Sequence, residues 1–369
     1  MIVGMKSSST MTISRAVNQL SEAYIALIKS GKSLKRFPSV MLWGAPGVGK
    51  SQGVRQIATA IEEQTDKRVD VTDVRLLLFN PVDLRGIPTA NADKTLAVWL
   101  KPKIFQMDDS DTVVNILFLD EISAAPQSVQ AAAYQITLDR TVGEHKLPEN
   151  CIVIAAGNRV TDRSVAYAMP KALANRLCHF EIITDTDSWH DWAVQAGIHD
   201  KVISFLDYKP GLLMGFNTDT ANLSFATPRS WEMVSNILND ISDDVGKVLP
   251  LIAGCIGDRI AGELLMWSES YHSIPSVEDI FSGEEQASPS RPESLYALSS
   301  LIVSYARDHH SEVELDHVVT YVCRLPAEFK NRIFSDLLTI RSIRQSLSNN
   351  RSFDNWFARS GRYWEDYGL

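Results

Sequence analysis

The sequence predicts an α/β fold in which a parallel sheet lies between helices, followed by a smaller all-α domain. The short apolar run Val40–Trp43 precedes a glycine-rich segment, and residues 54–61 then place apolar side chains at i, i+3, i+4 and i+7. Residues 113–121 form a nearly continuous apolar run that ends in two acids, which is typical of a buried parallel strand. Beyond Arg229 the apolar residues recur with a helical period. These three stretches predict the two parts of the fold.

The glycine-rich segment has the spacing of a phosphate-binding loop. Its glycines let backbone N–H groups turn toward phosphate oxygens, and the following helix points the positive end of its dipole at the same anion. Lys50 would reach the β and γ phosphates, and the hydroxyl of Ser51 would ligate Mg²⁺, so we expect a nucleotide bound as its magnesium complex. The alternative is an ordinary glycine turn. The candidate binding residues are Gly44, Ala45, Pro46, Gly47, Val48, Gly49, Lys50, Ser51 and Gln52.

Length and composition exclude several classes of protein. A chain of 369 residues is long enough for two domains, and a net charge of −9 argues against nucleic acid as the main partner. No apolar run approaches the length of a membrane-spanning helix, and the N-terminus lacks the apolar core of a signal peptide. We therefore expect a cytoplasmic protein without a membrane partner.

Several elements are expected around the glycine loop. Apolar residues between 13 and 28 mark one face of a helix before the first strand, and a second strand is expected between 69 and 79. The segment 81–102 is too long for a simple connection, and 95–99 within it could form a small hairpin. An insertion with a function is plausible there.

Asp120 and Glu121 end the apolar run that starts at Val113. Ligands of open α/β sheets bind beyond the carboxyl ends of the strands, so these two acids would emerge beside the glycine loop. Asp120 would hold the hydration shell of Mg²⁺, and Glu121 could polarise a water for attack on the γ-phosphate. The alternative is a strand end that carries two acids by coincidence.

A helix from Pro126, a short hairpin over 141–147 and a buried strand over 151–156 are expected next. Asn158 leaves the end of this strand, where its amide can orient the attacking water and sense the γ-phosphate. The alternative is a turn asparagine, since Gly-Asn is a common turn pair.

These segments resemble an AAA+ ATPase. Residues 44–51 resemble the Walker A motif, 117–121 resemble Walker B, and Asn158 falls where sensor 1 is expected. The resemblance implies an AAA+ P-loop core, with a five-stranded parallel sheet between helices, followed by a small all-α lid. It also implies ATP and Mg²⁺ as cofactors.

Within that superfamily the chain is similar to the MoxR group. The similarity rests on 83–88, on the helix and hairpin of 124–148, and on 172–177. The last segment departs from the usual Leu-Asp-Arg-Phe, since Asn175 replaces the acid and Leu177 the aromatic residue.

The resemblance assigns roles to two arginines. Arg176 matches the arginine finger, and Arg229, in the Ala-Thr-Pro-Arg-Ser segment 226–230, matches the sensor 2 contact. Both would neutralise charge on the transferring phosphoryl group, although either could instead form a surface salt bridge. A finger acts on the nucleotide of a neighbouring subunit, so the resemblance implies a ring, typically a hexamer.

The expected domains are a nucleotide-binding domain with an N-terminal helix (1–205), an all-α lid (206–348) and an aromatic-rich tail (349–369). An exposed loop is expected at 268–292 in the lid. The tail either completes the lid core or serves as a docking segment, because its aromatic density is unusual for a disordered tail. Its aromatic residues are Phe353, Trp356, Phe357, Tyr363, Trp364 and Tyr367.

The expected function is that of a ring-forming, MoxR-like ATPase that hydrolyses Mg-ATP to remodel a protein in a chaperone-like way. The resemblance implies a client with a von Willebrand factor A-like domain. A nucleic-acid motor or loader and a chelatase-like assembly subunit are the alternatives. The acid at Glu121 disfavours a scaffold that does not hydrolyse ATP.

Overall fold

A computed structural model describes residues 9–159, 169, 174–215, 223–269, 274–284 and 286–360. The chain divides into two compact units, Met1–Thr184 and Asp185–Leu369. The sequence predicts a domain boundary after residue 205, whereas the structure divides the chain after Thr184. The helices Thr186–Ala196 and Asp200–Tyr208 therefore belong to the second unit. Within the described residues, no helix combines the length and the apolar composition needed to cross a membrane.

The first unit contains a parallel sheet of six strands: β1 (Thr10–Thr12), β2 (Val40–Trp43), β3 (Arg68–Arg75), β6 (Val113–Asp120), β9 (Cys151–Gly157) and β10 (Cys178–Ile183). Their order in the sheet is β1, β10, β2, β9, β6, β3. The predicted parallel sheet is confirmed, but it has six strands rather than five. The sequence pattern indicated neither β1, which has three residues and no apolar run, nor β10, most of whose residues are only half-buried.

Helices cover this sheet: α1 (Ile13–Lys29), α2 (Lys50–Gln64) and α4 (Gln127–Asp139). Every residue of β9 is buried, as are the residues of β6 up to Leu119, which explains their continuous apolar runs. Helices α1 and α2 pack closely because Gly53 lacks a side chain. A Cβ atom there would lie 2.6 Å from Ile13 Cδ1.

Two antiparallel hairpins extend from this core. The first follows α3 (Pro81–Arg85) and pairs β4 (Ile87–Ala90) with β5 (Ala97–Leu100). The second pairs β7 (Thr141–Val142) with β8 (His145–Lys146). The hairpin predicted over 141–147 is confirmed, whereas the one predicted at 95–99 is longer and spans 87–100. They are neighbours, since a ring nitrogen of His145 lies 2.9 Å from the carbonyl oxygen of Trp99.

The second unit is helical throughout its described residues, which confirms the predicted all-α region. Its helices span Thr186–Ala196, Asp200–Tyr208, Pro228–Asp240, Leu249–Ile256, Asp258–Ser268, Val277–Ser282, Pro292–Ala306, Glu312–Val322, Ala327–Thr339, Arg341–Ser348 and Arg351–Phe357. Single 3₁₀ turns occur in the two units at Leu34–Arg36, Leu76–Leu78, Lys103–Phe105 and Pro210–Leu212.

The expectation of an exposed loop over 268–292 is wrong at Val277–Ser282. Three apolar side chains of this short helix are buried in the core of the unit, and Ser276 caps its first turn by accepting a hydrogen bond from the N–H of Asp279. One and a half turns are too short to display a helical period in the sequence. Composition therefore favoured a loop.

The first part of the aromatic tail belongs to the core of the second unit. Phe353 is completely buried, and its ring centroid lies 5.0 Å from that of Phe334. Phe357 is also buried, and Trp356 packs against the same core. Tyr363, Trp364 and Tyr367 lie outside the described residues. The interpretation that the tail completes the core is thus confirmed for its first three rings.

Candidate nucleotide-binding site

The glycine loop joins β2 to α2 in the first unit. Gly47 and Gly49 have φ angles of +80° and +89°, in the left-handed region that glycine adopts without steric cost. Gly49 is the N-cap of α2, and no described side chain caps this end of the helix. Its first N–H groups and its dipole therefore face the concave side of the loop, which suits an anion.

Lys50 is buried at the centre of this loop, with 8% of its surface exposed. Its ammonium group donates to the carbonyl oxygens of Gly44 at 2.6 Å and Ala45 at 3.0 Å. It also donates to Oδ1 of Asn158 at 3.1 Å. The folding of the sheet thus brings together two predicted site residues that are 108 positions apart in the sequence.

Ser51 and Asp120 are also in contact, since the Ser51 hydroxyl donates to Oδ2 of Asp120 at 2.9 Å. Neighbouring oxygens in an octahedral magnesium shell, with Mg–O distances of about 2.0–2.1 Å, lie about 2.9 Å apart. Among the described residues, no group of three or more His, Cys, Asp or Glu side chains could hold a metal ion. The hydroxyl and the carboxylate therefore fit a Mg²⁺ ion that is shared with phosphate and water oxygens, as is usual for this metal.

Glu121 has an unusual backbone conformation, with a φ angle of +57°. A non-glycine residue in this region costs about 1–2 kcal/mol, so its surroundings must hold it there. Its carbonyl oxygen accepts from the N–H groups of Ala124 and Ala125, and the next residue, Ile122, donates to Ala156 O at 3.0 Å. The sharp turn leaves Glu121 exposed beyond the end of β6, next to Asp120.

Asn158 is held by a residue that sequence reasoning missed. Its backbone N–H donates to the hydroxyl of Ser123 at 2.9 Å, and Ser123 is 2% exposed. Gly157 makes this approach possible, because a Cβ atom there would lie 2.9 Å from the same hydroxyl. A serine two residues after Glu121 carries no signal of this role in the sequence.

Arg176 does not join this cluster. It is exposed in the turn 174–177 that leads into β10. The first residue of β10, Cys178, pairs with Val40 at the start of β2, whereas the glycine loop follows the last residue of β2, Trp43. The two ends of β2 are three residues, roughly 10 Å, apart. The backbone of Arg176 therefore lies near the end of these strands that is opposite to the glycine loop. Ala172 and Leu173 of the same motif lie outside the described residues.

Arg229 lies in the second unit, exposed in the first turn of the helix Pro228–Asp240. The side chains of Thr227 and Ser230 form a capping box at this helix start, which explains the Thr-Pro-Arg-Ser pattern as a helix N-terminus. Its contact with phosphate stays a prediction.

Comparison with known proteins places part of the chain in a family model. Residues 39–179 match the ATPase family associated with various cellular activities (AAA). No curated protein matches the chain.

Solved structures similar to the chain include three from different organisms. PCH-2 of C. elegans is 10% identical, with coverage of 71% of this chain and 69% of that chain and a TM-score of 0.35. A mutant of Thermotoga maritima RuvB is 15% identical, with coverage of 82% and 86% and a TM-score of 0.34. A putative ATPase from Cytophaga hutchinsonii is 16% identical, with coverage of 86% and 88% and a TM-score of 0.31.

The family match contains the whole cluster described above. Within residues 39–179, Lys50 contacts Asn158 and Ser51 contacts Asp120. Glu121 follows Asp120 at the end of β6. Residues 39–179 thus match an ATPase family and carry the predicted nucleotide site, and the chain is an ATP-hydrolysing enzyme.

Proposed function

We propose that the chain is a MoxR-like AAA+ ATPase that works in the cytoplasm as a ring, typically a hexamer. It hydrolyses Mg-ATP to remodel, in a chaperone-like way, a protein partner with a von Willebrand factor A-like domain. The position of Arg176 supports the ring in this proposal. Its backbone lies near the end of β2 that is opposite to the glycine loop of its own chain, so the arginine is available to a neighbouring subunit. The client rests on the sequence resemblance.

The clustered side chains divide the chemistry among them. Residues 44–52 hold the triphosphate with backbone N–H groups, and Lys50 supplies a cation to its β and γ phosphates. Ser51 and Asp120 would hold Mg²⁺, which would supply positive charge to the phosphates. Glu121 accepts a proton from the attacking water at its carboxylate. The water oxygen bonds to the γ phosphorus as the bond to the bridging oxygen breaks, and the electron pair of that bond leaves with ADP.

Asn158 orients the attacking water through its amide in this proposal. Its hydrogen bond to Lys50 supports the assignment, because the cation and the amide are held in one network beside the Walker B acids. Ser123 and Gly157 fix the backbone of Asn158, so its amide is positioned before substrate arrives.

A second cation on the γ-phosphate then comes from the adjacent subunit. Arg176 is exposed, and its guanidinium has no hydrogen bond or ion pair to any described residue. In a ring with head-to-tail interfaces, each interface joins one phosphate loop to one such arginine. An arginine finger of this kind increases the rate by roughly 10³–10⁵. Arg229 would contact the phosphates from the second unit.

Mixed rings test this model directly. Arg176→Ala and Lys50→Ala proteins should each be nearly inactive. After mixing in equal amounts, about a quarter of the interfaces pair an intact loop with an intact arginine, so up to about a quarter of wild-type activity should return. Arg36→Ala, which removes another exposed arginine of the first unit, is the matched control and should keep its activity. If intact mixed rings stay inactive, the shared-site model is wrong.

The client is tested with Glu121→Gln, which keeps the shape of the side chain but cannot accept the proton. With ATP it should retain a partner that mass spectrometry identifies as carrying a von Willebrand factor A-like domain, and Lys50→Ala should not. ATPase activity stimulated by DNA would favour a nucleic-acid motor instead. Slow turnover that no protein changes would favour a chelatase-like assembly subunit.

A further inference from the structure

Trp43 and His179 form a hydrogen-bonded pair beneath the glycine loop. Trp43 is the last residue of β2, and its indole N–H donates to Nδ1 of His179 at 2.8 Å. The two ring planes differ by only 12°, with centroids 6.1 Å apart. Near-parallel planes are compatible with a hydrogen bond directed along the lone pair of Nδ1, which is the favourable direction.

The other ring nitrogen of His179 contacts the turn that carries Arg176. Nε2 lies 2.7 Å from the carbonyl oxygen of Ala174. An indole N–H can only donate, so Nδ1 must accept, and the proton of the neutral imidazole resides on Nε2. Nε2 then donates to the Ala174 carbonyl. Both nitrogens are used, and the hydrogen bonds select one tautomer.

The strand register creates this arrangement. Trp43 pairs with Glu181 on the neighbouring parallel strand β10, and His179 lies two residues before Glu181, on the same face of the sheet. The Ala174 carbonyl also accepts from the N–H of Leu177 at 3.2 Å, which closes the turn around Arg176. A continuous chain of hydrogen bonds thus runs from the end of β2 to the turn that presents the arginine.

We propose that His179 is a positioning residue for Arg176, acting through the Ala174 carbonyl, and that Trp43 fixes the tautomer this requires. The inference rests on the proposed function, in which Arg176 serves the nucleotide of the adjacent subunit. Because no described residue holds the guanidinium itself, the backbone of the turn sets its position. A displacement of about 1 Å in such a group can cost on the order of 10²-fold in rate.

Two near-isosteric substitutions separate the two hydrogen bonds of His179. In His179→Asn the amide oxygen takes the place of Nδ1, so the bond from Trp43 is kept and the bond to Ala174 is lost. In His179→Gln the amide N–H takes the place of Nε2, so the bond to Ala174 is kept and the bond from Trp43 is lost. The inference predicts that the first substitution impairs the arginine and the second largely spares it.

Mixed rings show on which subunit the residue acts. In a mixture of Lys50→Ala and Arg176→Ala subunits, the Lys50→Ala subunit supplies the arginine and the Arg176→Ala subunit supplies the loop. His179→Asn added to the Lys50→Ala subunit should lower the restored ATPase rate by about tenfold or more. The same substitution added to the Arg176→Ala subunit should change it less than about twofold, because no arginine is left there to position. His179→Gln on the Lys50→Ala subunit should keep most of the restored rate.

Each outcome decides the question. Equal loss from both placements would mean that His179 only supports the fold, and no loss from either would mean that Ala174 is held without it; both results overturn the inference. Failure of the parent mixture, with rings intact by light scattering, overturns the proposed function and the inference with it. Normal restoration by the parents followed by a failed His179 test overturns the inference alone.

Two further variants serve as a replacement and as a control. His179→Phe keeps the flat ring and loses both nitrogen contacts, so it replaces the asparagine variant if that protein does not assemble, and the same dependence on placement is expected. His309→Gln removes a histidine of the second unit whose ring stacks on Tyr305, with centroids 3.9 Å apart. It should leave the restored rate unchanged on either subunit.

Discussion

A buried histidine makes the stability of the helical unit depend on pH. His190 lies in the helix Thr186–Ala196, and its side chain is 7% exposed. Its Nδ1 lies 2.9 Å from a carboxylate oxygen of Asp207, and its Nε2 lies 3.0 Å from one of Asp336. Two acids that each face one ring nitrogen favour the doubly protonated imidazolium, because both nitrogens can then donate. Arg332 pairs with the same Asp207 oxygen, and its Nη2 also lies 2.7 Å from Nδ1 of His190.

The expected size follows from the pKa of His190. Burial alone would lower this pKa, but the hydrogen bonds to Asp207 and Asp336 outweigh burial and raise the pKa from 6.5 to about 9. A shift of this size corresponds to about 3 kcal/mol of folding free energy. Because the pKa is raised in the folded state, this contribution is complete below the unfolded-state value of 6.5 and is lost as the pH rises through 9.

The assay is urea unfolding monitored by tryptophan fluorescence. Six of the eight tryptophans follow Asp185, so the signal reports mainly on the second unit. Other groups also titrate, and comparison with His190→Gln removes their effect. The quantity to compare is the unfolding free energy of the wild-type protein minus that of the variant. This difference should be about 3 kcal/mol larger at about pH 6 than at about pH 10. An equal difference at both pH values would refute the protonated, doubly bonded histidine.

Three further predictions concern binding and folding. Lys50→Ala should abolish Mg-ATP binding in calorimetry, because the phosphate loop has no other side-chain cation; wild-type affinity would contradict the loop assignment. Phe353→Ala should lower the unfolding free energy by about 3–5 kcal/mol, since it removes a fully buried ring that packs on Phe334, and an unchanged melting temperature would show that the ring does not support the core. Gly86→Ala should loosen the first hairpin, because φ is +89° and the new Cβ would lie 1.9 Å from Leu100 O. Rates of proteolysis within 87–100 should rise, and an unchanged rate would contradict this steric argument.

The strands on which the site is built were predictable because their physical signal is local. Both β6 and β9 are buried on both faces, so their sequences are continuous apolar runs with a polar residue at the end. The strand β1 gave no such signal, because three residues at the sheet edge need no apolar run. The helix Val277–Ser282 was missed for a similar reason, since it is too short to show a period.

The site was predictable where each residue lies at the carboxyl end of a strand or in the loop that follows it. Lys50, Asp120 and Asn158 are all placed by strand ends at one edge of the sheet, and the sheet order then brings them together. Ser123 and His179 were not predictable, because their contacts depend on which residues of neighbouring strands are in register. Register is a property of the pairing, which a motif of a few residues does not encode.

The most direct test of the central claim is ATP hydrolysis by Glu121→Gln, with ATP affinity measured on the same protein. If Glu121 takes the proton of the attacking water, single-turnover hydrolysis should fall by about 10²–10⁴-fold while the affinity changes little. Hydrolysis at a near-normal rate, with affinity unchanged, would show that another residue activates the water and would contradict the account of this site.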